Sequence, residues 1–151
     1  MYDEIAKGYD ELYYQEQLDK LNIIRQHFHF KGKILDIGAG TGIISRNYKN
    51  VISLDPSENM LKYAKGKTVI AKAEYLPFPD KSFDTIVSLT ALHHCNIDQA
   101  IKEIKRVSKQ ENYAFTILKK SKHCKDIVTK LKQNFKLKEI EEKKDIILVS
   151  I

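Results

Sequence analysis

"ILDIGAGTGIIS", residues 34–45, sets a short apolar run directly against three glycines in five positions. The run reads as a buried strand, the glycines as a turn, and the residues through about Tyr48 as a helix. A strand feeding a helix through a glycine turn opens a β-α-β unit, in which the next strand must run parallel to the first. Glycines at alternate positions also let a ligand come close to bare main chain, since one or two would suffice for the turn alone.

The same alternation continues along the chain. VISLD (51–55) reads as the second strand and SENMLKYAK (57–65) as a helix, with Ser57 as its N-cap and Met60, Leu61 and Ala64 facing inward. TVIA (68–71) is a third strand, and FDTIVSL (83–89), after the proline-bearing loop EYLPFPDKS (74–82), is a fourth. Asn96 caps a helix with Gln99 three positions on, and Ile97, Ile101, Ile104 and Val107 share one face. YAFTIL (113–118) is the fifth strand, after which Ser121 opens a helix with Ile127, Val128, Leu131 and Phe135 inward. FKLKEIEEKKDIILVSI (135–151) holds two strand-like runs separated by a short charged turn, too short for a parallel crossover. The predicted fold is therefore α/β: a Rossmann-like open sheet of five parallel strands plus a C-terminal antiparallel hairpin, with a helical N-terminal cap. One domain is expected: residues 1–29 the cap, 33–118 a ligand-binding core, and 119–151 the last helix and the hairpin.

Composition narrows the class. Of 151 residues, 42% are apolar and 30% charged, the balance of a globular domain, and no apolar run approaches the roughly 18 residues of a membrane span. The N-terminus lacks the basic and apolar blocks of a secretory signal, and Cys95 and Cys124 form no metal-binding spacing. A cytoplasmic protein with reduced thiols and no metal is expected. The net charge of +6 owes much to lysines in KKSKHCKDIVTKLKQNFKLK (119–138), read either as a solvated exterior or as a surface for a polyanion.

Two carboxylates sharpen the ligand. A dinucleotide fingerprint needs G-x-G-x-x-G, whereas here the third glycine comes one position early, leaving Ile43 in its place. Asp36, at the strand end two residues before Gly38, would repel a pyrophosphate but suits a cation. Asp55, at the end of the second strand, is placed to accept from two ribose hydroxyls. A cationic nucleoside without phosphates fits both acids, and S-adenosylmethionine (SAM) has that combination.

At these residues the chain resembles a known family. ILDIGAGTG is similar to motif I of the class I SAM-dependent methyltransferases, and VISLDPSENML to their acidic second-strand motif. AKAEYLPFPDKSFDTIVSLTALHH and MYDEIAKGYDELYY resemble the later motifs and N-terminal cap of the ubiquinone/menaquinone-type and RNA-modifying branch. The resemblance implies that Asp36 and the main chain of Gly38, Ala39, Gly40 and Gly42 hold the methionine end. It implies Asp55 on the ribose, Pro56 and Ser57 along the adenosine, Ala73 and Glu74 at the adenine edge, and Leu89 near the methionine. Tyr2 and Tyr9 would close over the cofactor. Lys72 stands where the family often carries an aspartate that reads the adenine amino group.

Methyl transfer from a sulfonium is an in-line displacement on an activated electrophile, so alignment alone can contribute about 7–11 kcal/mol. His93 and His94, after the fourth strand, are the candidate bases, against packing and solvation as their alternative roles. SLTA (88–91) does not resemble the N/D-P-P-Y-type tetrapeptide of enzymes that methylate exocyclic amines. Many relatives insert a substrate-covering subdomain where this chain has one helix. That implies RNA or protein as the acceptor, a partner subunit that completes the site, or a small molecule under the N-terminal cap. A SAM-binding subunit without chemistry and a nicotinamide-dependent oxidoreductase are the other function classes.

Overall fold

Seven strands form the spine of the computed structural model, which describes the backbone of residues 2–151 and side chains from residue 11 onward. In chain order the elements are α1 (Tyr2–Arg25), β1 (Ile34–Ile37), α2 (Ile43–Asn47), β2 (Val51–Asp55), β3 (Lys67–Ile70), β4 (Thr85–Leu89), α3 (Ile97–Val107), β5 (Tyr113–Leu118), α4 (Cys124–Asn134), β6 (Leu137–Glu141) and β7 (Asp145–Ser150). The sheet order is β3-β2-β1-β4-β5-β7-β6. Strands β1 to β5 are mutually parallel, and β7 runs antiparallel between β5 and β6, as the short turn at 142–144 requires. The expected five parallel strands and terminal hairpin are therefore present. Strand order reverses between β1 and β4, which opens a crevice at the carboxyl end of β1.

Side chains alternate across the sheet with period two. Leu35 and Ile37 of β1, Ile86 of β4, and Tyr113, Phe115 and Ile117 of β5 face α3 and α4, which answer with Ile97, Ile101, Ile104, Ile127 and Leu131. The intervening Ile34, Val87 and Ala114 face the other layer, where α1 supplies Leu21 and Ile24 and α2 supplies Ile43 and Ile44. Asp36 falls between Leu35 and Ile37, so the same alternation turns its carboxylate to the α1 side.

Three local expectations differ. The segment 57–65 makes only a 3-10 turn, Met60–Tyr63, started by a bond from the Met60 N–H to the Ser57 carbonyl. Of its expected inner residues only Leu61 is buried, too little apolar surface to offset helix nucleation in so short a segment. Cys124, not Ser121, begins α4, because 121–123 form turns instead. The helix after the glycine turn is five residues long. The Asn96 cap forms as expected, its Oδ1 accepting the Gln99 N–H at 3.2 Å.

The glycines divide their work. Gly38, Gly40 and Gly42 all have positive φ, at 71°, 51° and 74°. A Cβ on Gly42 would overlap the Tyr63 carbonyl and one on Gly38 the Ala91 side chain, whereas at Gly40 the nearest atom is the Gly38 carbonyl oxygen at 3.8 Å. Gly42→Ala should therefore lower stability by about 3 kcal/mol, a fall in Tm of roughly 10 °C. Gly40→Ala should leave the melting curve within a few degrees of wild type, and parallel thermal melts of the two variants check the contrast.

Candidate functional site

A cavity of about 410 Å³ occupies the crevice beyond the carboxyl ends of β1, β2 and β4, within the size range of small-ligand sites. Its base is the glycine turn after β1. The Gly38 and Ala39 N–H groups both donate to the Leu54 carbonyl of β2, at 2.8 and 3.0 Å, and this pins the turn to the sheet. Asp36, Gly38, Ala39, Gly40, Asp55, Pro56, Ala73, Glu74 and Leu89, all expected at a cofactor, line this one cavity.

Asp36 is the unusual group. It is 2% exposed, and its Oδ2 has no hydrogen-bond partner among the described residues. Burial, reinforced by the neighbouring Asp55 carboxylate, pushes its pKa up to about 7. Such a carboxylate is held ready for a positive charge that would satisfy its free oxygen and favour its ionised form. Asp55 is oriented by the Ser57 N–H, which donates to its Oδ1 at 2.9 Å. Ser57 itself does not line the cavity; it fixes the acid that does.

The cavity wall that carries Ala73 and Glu74 is held from below. Arg106 of α3 donates to the Leu76 and Phe78 carbonyls at 2.8 and 2.7 Å, and Glu103 accepts the Leu76 N–H at 2.8 Å. Glu74 Oε2 accepts the Asn96 N–H at 3.1 Å, which ties this wall to the start of α3. Lys72 also lines the cavity.

Several expected residues stand elsewhere. Gly42 caps α2 and shapes the turn without reaching the cavity. The side chains of Tyr2 and Tyr9 lie outside the described residues. His94 lines the cavity and is exposed, whereas His93 does not line it and buries an Nδ1 that has no partner among the described residues. The two rings lie 3.9 Å apart, centroid to centroid. Burial and the adjacent His94 lower the His93 pKa, against an opposing pull from Asp145.

Other residues enter the wall unannounced: Tyr13 and Gln17 of α1, Met60, and Thr90 after β4. Their signal was available, because Gln17 and Lys20 are polar intrusions on the face of α1 that also carries Leu21 and Ile24. Lys20 is 3% exposed; its Nζ lies 3.2 Å from Asp145 Oδ2 and donates to Gln17 Oε1 at 3.0 Å. Thr90, at φ 56°, donates through Oγ1 to the same Asp145 oxygen at 2.7 Å. Its own N–H is taken by Thr116 Oγ1 at 2.9 Å. A β-branched residue at positive φ is strained, and these bonds hold it there at the cavity edge.

Comparison with known proteins agrees with this geometry. The family profile described as "Methyltransferase domain" matches residues 35–116, from β1 to β5. An uncharacterized protein of Methanocaldococcus jannaschii is 41% identical over 124 residues, covering 77% of this chain and 49% of that protein. The ubiquinone/menaquinone biosynthesis C-methyltransferase of Rickettsia massiliae is 36% identical over 115 residues, covering 62% of this chain and 46% of its own. The chain spans about half the length of the curated relatives it matches, 49%, 57% and 55% for three of them. Among solved structures, a methyltransferase of Haloferax volcanii in complex with a methyltransferase activator superposes with a TM-score of 0.70 at 17% identity, covering 90% of this chain and 75% of that one. That likeness is one of fold. With the profile matched across the whole parallel core and the acidic cavity at its switch point, the chain belongs to the class I SAM-dependent methyltransferase family.

Proposed function

We propose that this chain binds SAM in the β1–β4 crevice and transfers its methyl group to an acceptor arriving past Thr90 and His94. The buried, unpartnered Asp36 oxygen carries the reading, because a cavity bordered by two repelling carboxylates fits a cationic, phosphate-free nucleoside. Asp36 would pair with the cationic methionine end, and the open face at Gly40 would let that end lie against main chain. Asp55 would accept from the ribose hydroxyls. SAM, when bound, supplies a methyl group on a positively charged sulfur.

The chain's own task is then alignment and, for a protic acceptor, proton removal. His94 stands at the cavity wall in reach of solvent, so it is the better placed of the two histidines to touch an acceptor. His93, with its lowered pKa and half-buried ring, would support the turn that carries His94. A partner subunit on the acceptor side is part of this proposal, supported by the activator complex of the Haloferax volcanii neighbour. The Rickettsia massiliae relative's name supports methyl transfer as the reaction class.

Titration calorimetry with SAM tests the reading. Wild type should bind, and Asp55→Ala should bind at least about tenfold more weakly for loss of hydrogen bonds to a charged acceptor. Equal affinity of the two proteins would remove Asp55 from the site. Failure of wild type to bind SAM would overturn the function.

A further inference from the structure

The positive charge of this chain is almost wholly local. Residues 119–138 hold eight lysines against one aspartate, a net +7 where the whole chain carries +6, so the remaining 131 residues are within one charge of neutral. The fold gathers part of this run into a groove of about 510 Å³ between α4 and the hairpin, where Lys119, Lys122, Lys125 and Lys132 face a single carboxylate, Glu139. Lys119, Lys122 and Lys125 are exposed and have no acidic partner among the described residues, while Lys132 lies 3.5 Å from Glu139. Like charges sharing one groove repel one another, and a polyanion lying along it relieves that repulsion.

The groove also adjoins the cofactor cavity. Cys124 and Ile146 line the groove and Thr90 lines the cavity, and between them stands Asp145, bonded to Thr90 at 2.7 Å. Helix α4 packs against the 3-10 turn Leu92–His94, the same turn that carries both histidines. A chain lying on the lysines would therefore pass beside the mouth where His94 stands.

We propose that this groove holds the phosphodiester backbone of a single-stranded nucleic acid acceptor and delivers one of its nucleotides to the cofactor cavity. The proposal rests on the SAM reading of that cavity. Four lysines and no arginine offer point charges for phosphates and no forks for base edges, so binding would follow the backbone and tolerate sequence. An acidic peptide would need pockets for its intervening side chains, and the groove offers only Cys124, Val128 and Ile146 as apolar lining.

The test uses the full chain and fluorescein-labelled 12-nucleotide mixed-sequence RNA and DNA, read by anisotropy from about 50 to 200 mM salt. Wild type should bind at low salt, and the two arms identify the sugar. The variant with Lys119, Lys122, Lys125 and Lys132 all changed to Gln should bind at least tenfold more weakly, with its salt slope reduced by about 3, since each lost single-strand contact removes about 0.7. Lys31→Gln/Lys67→Gln/Lys109→Gln, exposed at the amino ends of the strands, should bind as wild type does. SAM calorimetry should be the same for all three proteins, which separates this proposal from the cofactor reading. Unchanged affinity in the four-lysine variant, equal loss in the control variant, or equal binding of a poly-glutamate peptide would each overturn the proposal.

Discussion

Asp36→Asn should abolish SAM binding and raise the melting temperature of the ligand-free protein. Its carboxylate is fully buried, with a pKa raised from 3.8 to about 7, so folding binds a proton that the unfolded chain has released. The sign follows directly. Stability from this group is complete below the unfolded value, declines as pH rises from about 4, and is gone above about 7. Three pKa units correspond to about 4 kcal/mol, part of which a buried amide returns as its own desolvation. A net Tm gain of roughly 5 °C at pH 7.5 is expected, with a flatter dependence of Tm on pH between 5 and 7. The same change removes the countercharge for the ligand's cation, a loss of about 3 kcal/mol or more than 100-fold in affinity. In wild type, affinity should fall about tenfold per pH unit below 7, because the cation must draw the carboxylate into its ionised form. Calorimetry at pH 5.5, 6.5 and 7.5 reads this. A flat wild-type profile, or tight binding by the Asn variant, would mean that the cation is held elsewhere.

The second large effect lies in the Lys20–Asp145 ion pair beneath Thr90. Lys20→Met leaves Asp145, which is fully buried, with an uncompensated charge, and should destabilise the protein by about 3–5 kcal/mol. Asp145→Asn should cost less, because the amide can still meet Thr90 and carries no charge. The double variant should be more stable than Lys20→Met alone, since no charge is then left unpaired, giving a coupling energy of about 1–3 kcal/mol in a urea-denaturation cycle. Additive single effects would mean that solvent reaches Asp145 and that the pair does not fasten α1 to the sheet. Because Gln17 shares Lys20 and lines the cavity, Lys20→Met should also weaken SAM binding severalfold, read by calorimetry.

The parallel core was legible because its signals are local. A mostly apolar strand before a glycine turn and β-branched residues in short runs each express backbone physics within a few residues. The turn at 142–144 dictated the hairpin for the same reason. The segment 57–65 misled because one buried residue, Leu61, cannot sustain the helix that the spacing of Met60, Leu61 and Ala64 predicts. Asp36 and Asp55 stand at the strand ends where the sequence sets them, and they line one cavity with most of the other residues expected at a cofactor. Ser57 and Gly42 act one step back from it.

What spacing could not reveal is who meets whom across long distances in the chain. Lys20, Thr90 and Asp145 are separated by 70 and 55 positions, and only the packing of α1 on β4 and β7 brings them into one buried cluster. Nor could composition distinguish the two histidines, since which of two adjacent rings is the more covered depends on how the turn after β4 seats against α4. Strand order, cavity and the acidity of Asp36 follow from the assembled sheet, because desolvation and charge proximity exist only once distant segments exclude water together. The linear order of residues carries the periodicity that makes strands and helices, and with it the places of Asp36 and Asp55 at strand ends; their burial and mutual repulsion arise in three dimensions.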